Sequence, residues 1–152
     1  MAVSTSEQRL RTLIERLRAR GYRLTPQRLA ILQVLLRDSS HPSAEQVFAQ
    51  VRRLYPTISL ATVYSTLHVL KELGELLEID CHEGFSRYDG RQPQPHGHIR
   101  CLVCRRVDDL PLGEGERLAQ AVAAQTGYQE VRPQLLFTGI CPRCQGGAEG
   151  EA

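Results

Sequence analysis

Two Cys-x-x-Cys pairs, Cys101/Cys104 and Cys141/Cys144, lie in the last third of a chain with one other cysteine, Cys81. Each pair closes a tight chelating turn, and two pairs together supply the four thiolates of a tetrahedral zinc site. The spacing therefore demands a fold that brings together two segments separated by 36 residues. A thiol redox centre is the competing reading, but it wants its Cys-x-x-Cys at a helix start, where the dipole lowers a thiol pKa. Here Cys101 follows a strand-like run, and the doubling of the pair favours zinc. Just ahead of the first pair, His96 and His98 alternate along an extended segment and so point the same way. Imidazoles on one side of a strand can share a metal, which suggests a second ion of different character.

The rest of the chain is ordinary in size for a soluble protein of one or two small domains, with 152 residues and 41% hydrophobic content. No apolar run approaches membrane-spanning length, and Met1 to Arg11 lacks the order of a secretory signal, so a reducing cytoplasm is expected. Cysteines in that compartment are more often metal ligands than disulfides. The net charge of +2 is unevenly distributed. Residues 1–58 carry ten Arg against four acidic residues, whereas 59–90 carry two basic against six acidic. A basic amino end can attract phosphates, although a solvated helix face explains the same excess.

Helical periodicity through Leu10, Leu13, Ile14 and Leu17, with Gly21 as a stop, predicts a first amphipathic helix. Thr25-Pro26 caps and opens a second, with Leu29, Ile31, Leu32, Leu35 and Leu36 as its core face. Ser43-Ala-Glu-Gln46 is a capping-box pattern ahead of Val47, Phe48, Val51 and Leu54, and Ser59 caps a fourth helix that runs to Gly74. That helix buries Leu60, Val63, Leu67 and Leu70 and turns Ala61, Tyr64, Ser65 and His68 outward. Leu76 to Asp80 and Phe85 to Tyr88 read as a ribbon turning at His82-Glu83-Gly84. Helices, a tight connection, an exposed helix and a ribbon, in that order, describe a winged helix-turn-helix.

The Gly- and Pro-rich segment 89–98 is then a hinge between a DNA-binding domain, 1–88, and a second domain, 99–144. In the second, strands are expected over Ile99–Val103 and Arg106–Leu110, a helix through Leu118, Ala121, Val122 and Ala124, and a strand region between Tyr128 and Ile140. The tail, 145–152, reads as disordered. The fold class is α+β.

Taken together, Gly21-Tyr-Arg-Leu-Thr-Pro-Gln-Arg28, His41-Pro-Ser-Ala-Glu45, Ser59-Leu-Ala-Thr-Val-Tyr64, Arg87-Tyr-Asp89, His96-Gly-His-Ile-Arg-Cys-Leu-Val-Cys104 and Gly139-Ile-Cys-Pro-Arg-Cys144 resemble the ferric uptake regulator (Fur) superfamily. The resemblance covers roughly residues 7 to 144, in order and with family spacing. It implies a homodimeric, metal-dependent transcription factor with an amino-terminal winged helix and a small α/β dimerisation domain. It implies structural Zn²⁺ on Cys101, Cys104, Cys141 and Cys144. It also implies a regulatory Fe²⁺ or Mn²⁺ on His41, Asp89, His96, His98 and Asp109, a nitrogen and oxygen set suited to such ions. Taken singly, His41 is a loop residue, Asp89-Gly90 a turn and Asp109 a solvated carboxylate; their joint occurrence carries the assignment.

Aspartate at both 89 and 109 resembles the peroxide-sensing (PerR) branch, in which a histidine ligand, here His41 or His96, is oxidised and DNA is released. A further metal site known in some members is not expected, because Pro95, Gly97 and Pro133 stand where its ligands would fall. Cys81 and His82 are read as wing residues rather than as parts of a zinc-selective site. Tyr64 is expected to press against thymine methyls, Ser65 to hydrogen-bond a base edge or phosphate, Thr62 to hold a phosphate, Arg23 to reach a narrow A·T-rich minor groove, and Arg28 to contact the DNA backbone. A two-fold dimer would favour a palindromic operator. An iron- or zinc-uptake regulator shares this switch without the oxidation. A small metalloenzyme using His96, His98 and a carboxylate to activate water leaves the winged helix unexplained, and a zinc-stabilised interaction module without a DNA role is the third reading.

Overall fold

The computed structural model describes residues 5–82, 84–111 and 113–146, and divides into two units at Pro93/Gln94. The first unit opens with α1 (Thr5–Ala19), α2 (Pro26–Arg37), α3 (Ala44–Arg52) and α4 (Leu60–Glu72). Their boundaries follow from local chemistry. Thr25 Oγ1 accepts from the Arg28 amide with Pro26 in the first turn, Ser43 and Gln46 complete a reciprocal capping box, and Ser59 Oγ accepts from the Thr62 amide. Helix α4 ends in a Schellman turn: Gly74, at φ 69°, donates to Lys71 O, and the Glu75 amide donates to Leu70 O.

Residues three and four apart on these helices converge in one core of Leu13, Ile31, Leu32, Leu35, Val47, Val51, Val63, Leu67 and Leu70. The antiparallel ribbon β1 (Leu77–Asp80) and β2 (Ser86–Asp89) closes the unit, Leu77 facing Asp89, and Tyr88 joins the core. Both strands start one residue later than the sequence pattern suggests. Leu54, expected as core, is 74% exposed because α3 stops at Arg52 and turns before reaching it. Glu83 of the expected ribbon turn lies outside the described residues.

The second unit holds β3 (Gly97–Cys101), β4 (Val107–Leu110), α5 (Gly115–Thr126), β5 (Leu136–Gly139) and α6 (Pro142–Gly146). The strand order is β4-β3-β5, with β3 antiparallel to β4 and parallel to β5 after a crossover through α5. Strand β3 begins earlier than expected, so His98 is a sheet residue paired with Asp109. Tyr128 to Ile140 contains only the short β5, since Gly127 in the left-handed region and Pro133 interrupt extended pairing before it. Gln145 and Gly146 close α6 instead of starting a disordered tail, and 147–152 lie outside the described residues. Among the described residues no helix is long and apolar enough to cross a membrane.

Candidate metal centres and nucleic-acid face

Parallel pairing of β3 with β5 sets Cys101 opposite Gly139, and this register brings the two cysteine pairs together. The four thiols lie within 4.8 Å of one another. Cys104 Sγ and Cys141 Sγ are 3.8 Å apart, and the edge of a zinc–sulfur tetrahedron with bonds of about 2.3 Å is about 3.8 Å. Each pair sits in a tight turn: the Arg105 amide donates to Cys101 O, with Arg105 at φ 64°, and the Cys144 amide donates to Cys141 O.

Backbone amides also face the sulfurs. The Cys141 amide, 3.3 Å from Cys101 Sγ, and the Cys104 amide favour the thiolate and hold Cys101 down at about 6. The Cys144 amide likewise lowers Cys141, while hydrogen bonding to Cys141 pushes Cys144 up to about 12. Crowded thiols of such unequal acidity are what a divalent cation equalises by ionising all four. The donor set fits zinc.

The remaining predicted ligands form two groups, one in each unit. In the first, His41 and Asp89 are both buried, with Nδ1 and Oδ2 3.9 Å apart. His41 has φ 54°, an uncommon conformation for a residue with a side chain, and it is held there by β2. Arg87 Nη1 donates to His41 O at 3.2 Å, and the Tyr88 amide donates to Pro42 O at 3.1 Å. Asp89 Oδ1 accepts from the Arg91 and Gln92 amides, which fixes the carboxylate so that Oδ2 faces His41. In the second unit, His96 Nε2 and His98 Nε2 lie 2.8 and 3.4 Å from the same oxygen, Asp109 Oδ1. The imidazole centroids are 4.2 Å apart. His96 Nδ1 is 2.8 Å from Gln94 O, an outer contact that orients the ring. Two imidazoles converging on one carboxylate fit a borderline or hard divalent cation.

Pro95, Gly97 and Pro133 border one cavity of about 380 Å³, with Gln94, His96 and Glu116 as its polar side chains.

On α4, Tyr64 and Ser65 are exposed and Thr62 is half-buried. The Thr62 amide is taken by the Ser59 cap, and Ser65 Oγ donates to Thr62 O, so both are engaged locally. Arg28 Nη1 donates to Arg23 O at 2.9 Å, and both arginines border the crevice formed with Thr66 and Val69 of α4. A basic pair thus flanks the exposed helix. Sequence reading did not assign roles to Arg87, which holds the His41 loop, or to Glu45, whose Oε1 accepts from the Tyr64 hydroxyl at 2.7 Å. The position of Arg87 two residues before Asp89 was the available signal for the first; the second pair, 19 residues apart, had none.

A winged helix with an exposed reading helix, in one chain with a four-cysteine cluster and paired His/Asp donors, defines a winged-helix metalloprotein. The profile described as the Ferric uptake regulator family matches residues 19–138. The chain belongs to the ferric uptake regulator family. It is 34% identical over 146 residues to the peroxide-responsive repressor PerR of Staphylococcus aureus (strain USA300), covering 94% of this chain and 96% of that protein. Among solved structures it is similar to the Campylobacter jejuni peroxide stress regulator, with TM-score 0.66, 27% identity, and coverage of 89% and 98%. The Helicobacter pylori ferric uptake regulator Fur, with TM-score 0.76, 23% identity, and coverage of 100% and 99%, supports the fold.

Proposed function

We propose that this protein is a homodimeric, metal-dependent transcriptional repressor of the peroxide-sensing type. The donor set carries the reading: His96 and His98 converge on Asp109, and His41 faces Asp89, with aspartate as the carboxylate in both places. The likeness to a peroxide-responsive repressor supports the subtype.

In this reading residues 1–88 bind DNA, 89–98 form the hinge and 99–144 dimerise and hold metal. Cys101, Cys104, Cys141 and Cys144 hold a structural Zn²⁺, and His41, Asp89, His96, His98 and Asp109 hold Fe²⁺ or Mn²⁺. Bound Fe²⁺ supplies the reduction of hydrogen peroxide that oxidises His41 or His96, whereas Mn²⁺ fills the same ligands without that reaction. The chain's own residues then do the switching. Donors drawn from both sides of the hinge favour the arrangement in which they converge, and moving that balance from 1:99 to 99:1 takes about 10⁴-fold tighter binding to the competent state. Loss of one imidazole removes the bias. Tyr64 and Ser65 would meet base edges, Thr62, Arg23 and Arg28 the backbone and minor groove of a palindromic, A/T-rich operator.

The test compares Fe²⁺- and Mn²⁺-loaded protein after low peroxide, reading operator affinity and the mass of peptides containing His41 and His96. Loss of binding with a 16 Da oxygen adduct in the iron form alone is expected, one oxygen atom being about 16 Da. Equal resistance of both forms overturns the peroxide subtype and leaves an iron- or zinc-uptake regulator, which affinity against buffered free metal then separates.

A further inference from the structure

Tyr64 stands 45% exposed on the outer face of α4, where an aromatic side chain ordinarily turns between rotamers. Here it does not stand alone. Its hydroxyl donates to Glu45 Oε1 at 2.7 Å, an O–H to carboxylate bond of the stronger, charge-assisted kind. That bond lowers the Glu45 carboxyl and raises the Tyr64 phenol, so at neutral pH the pair stays as phenol and carboxylate.

Glu45 lies in the first turn of α3, beside the capping box of Ser43 and Gln46. Arg87 Nη1 donates to Gln46 Oε1 at 3.3 Å and to His41 O at 3.2 Å, so the turn that carries Glu45 is tied to the His41 loop. A carboxylate beside a face that must meet phosphates opposes DNA binding, since affinity comes chiefly from neutralising phosphate charge. An acidic residue in a helix's first turn has an ordinary explanation, the helix dipole. The dipole accounts for the charge at this position. It does not account for a side chain reaching across to α4.

We propose that Glu45 is a positioning residue for base reading: its carboxylate fixes the Tyr64 ring so that it meets a thymine methyl at one defined place in the major groove. The inference rests on the reading of the protein as a DNA-binding regulator. The cost in non-specific attraction is then matched by gain in discrimination, because a fixed ring distinguishes thymine from uracil and a mobile ring accommodates both.

The test uses full-length, Mn²⁺-loaded protein and a palindromic A/T-rich duplex selected in vitro on the wild type. Single thymines are replaced by deoxyuridine, and the ratio of dissociation constants with and without the methyl is the discrimination. At the position read by Tyr64 the wild type is expected to show about five-fold or more, the scale of one lost methyl contact. Glu45→Ala and Tyr64→Phe should each bring that ratio close to one, with no further loss in the double variant, while Glu45→Gln retains it. Glu45→Asp decides against the dipole: it keeps the charge but falls short of Tyr64, so it should behave as Glu45→Ala. Binding of Glu45→Ala to random-sequence duplex should be unchanged or tighter. Wild-type discrimination in Glu45→Ala or Glu45→Asp, or additive losses in the double variant, overturns the proposal alone. Failure of the wild type to select any duplex overturns the regulator reading with it.

Discussion

Helices α4 and α5 have 13 and 12 residues and similar apolar content, yet α4 buries Val63, Thr66, Leu67 and Leu70 while α5 buries none. The difference extends to the units that contain them. The winged-helix unit packs leucines and valines from four helices into one core. In the second unit the buried apolar residues among those described are Cys101 and Val107, and Leu118, Val122, Phe137 and Ile140 are exposed. A unit of that size without a core needs a staple or a covering surface. The four-cysteine cluster is the staple, and in the homodimer we propose a second copy is the cover. In that reading one chain uses two means of stability: removal of apolar surface from water in the first unit, and metal with association in the second.

The largest test of this contrast is Cys101→Ser. A structural zinc contributes on the order of 10 kcal/mol or more, so the variant should lose that zinc and the second unit its order. The winged helix should remain folded, because its core residues, from Leu13 to Tyr88, all belong to the first unit. Metal analysis with limited proteolysis read by mass spectrometry checks both halves of the expectation: cleavage should concentrate beyond Gln94. A variant that keeps protease resistance there would show that something other than the cysteines holds the second unit.

A smaller effect is expected from Leu118→Glu with Val122→Glu, one turn apart on α5 and 51% and 38% exposed in the single chain. If a second copy covers this face, burying a charge there should weaken the dimer by about 2 kcal/mol or more, roughly 30-fold in dissociation constant. Sedimentation equilibrium reads the shift, and zinc content should not change. An unaltered dimer would place the cover elsewhere on the second unit.

The two units also differ in how much could be read before the structure was known. The N-caps of α2, α3 and α4 were legible, because Thr25-Pro26, Ser43-x-x-Gln46 and Ser59 act within one turn of chain and need no tertiary information. Tyr64 fell outside the apolar stripe of α4, and its exposure follows from helical geometry alone. Leu54 failed because periodicity continues past the residue where the backbone stops being helical. In the second unit the apolar positions of α5 identified a helix but not its lack of a buried face, since a helix awaiting a partner and one packed in a core share a pattern. The candidate metal donors were proposed as a set through family spacing, whereas Glu45 acts on a residue distant in sequence and left no local signature. Glu75 was missed for the same reason.

Glu75 gives the smallest and most local test, and it lies wholly in the winged helix. Its side chain is buried at the end of α4, bound by Arg9 Nη1 at 2.6 Å and by Arg16, both from α1. Arg9 also donates to Glu75 O and, through Nε, to Gly90 O, joining α1, the end of α4 and the residue after Asp89. Burial alone would raise the Glu75 carboxyl, but the hydrogen bonds and charges of the two arginines outweigh it and leave it below its ordinary value. A carboxylate lowered on folding stabilises fully above its unfolded pKa of about 4.3, and that contribution fades as pH falls through the lower folded value. Glu75→Gln keeps the shape and removes the charge, so it should cost about 1.5–3 kcal/mol at pH 7, the scale of hydrogen bonds to a charged group. The deficit should shrink as both proteins are brought below pH 4, where the wild type also loses the charge. Native-state hydrogen exchange at the buried Leu32 and Leu70 amides isolates this unit from acid effects on the cysteines. Parallel stabilities of the two proteins from neutral to acid pH would mean that the charge on Glu75 adds nothing to the first unit.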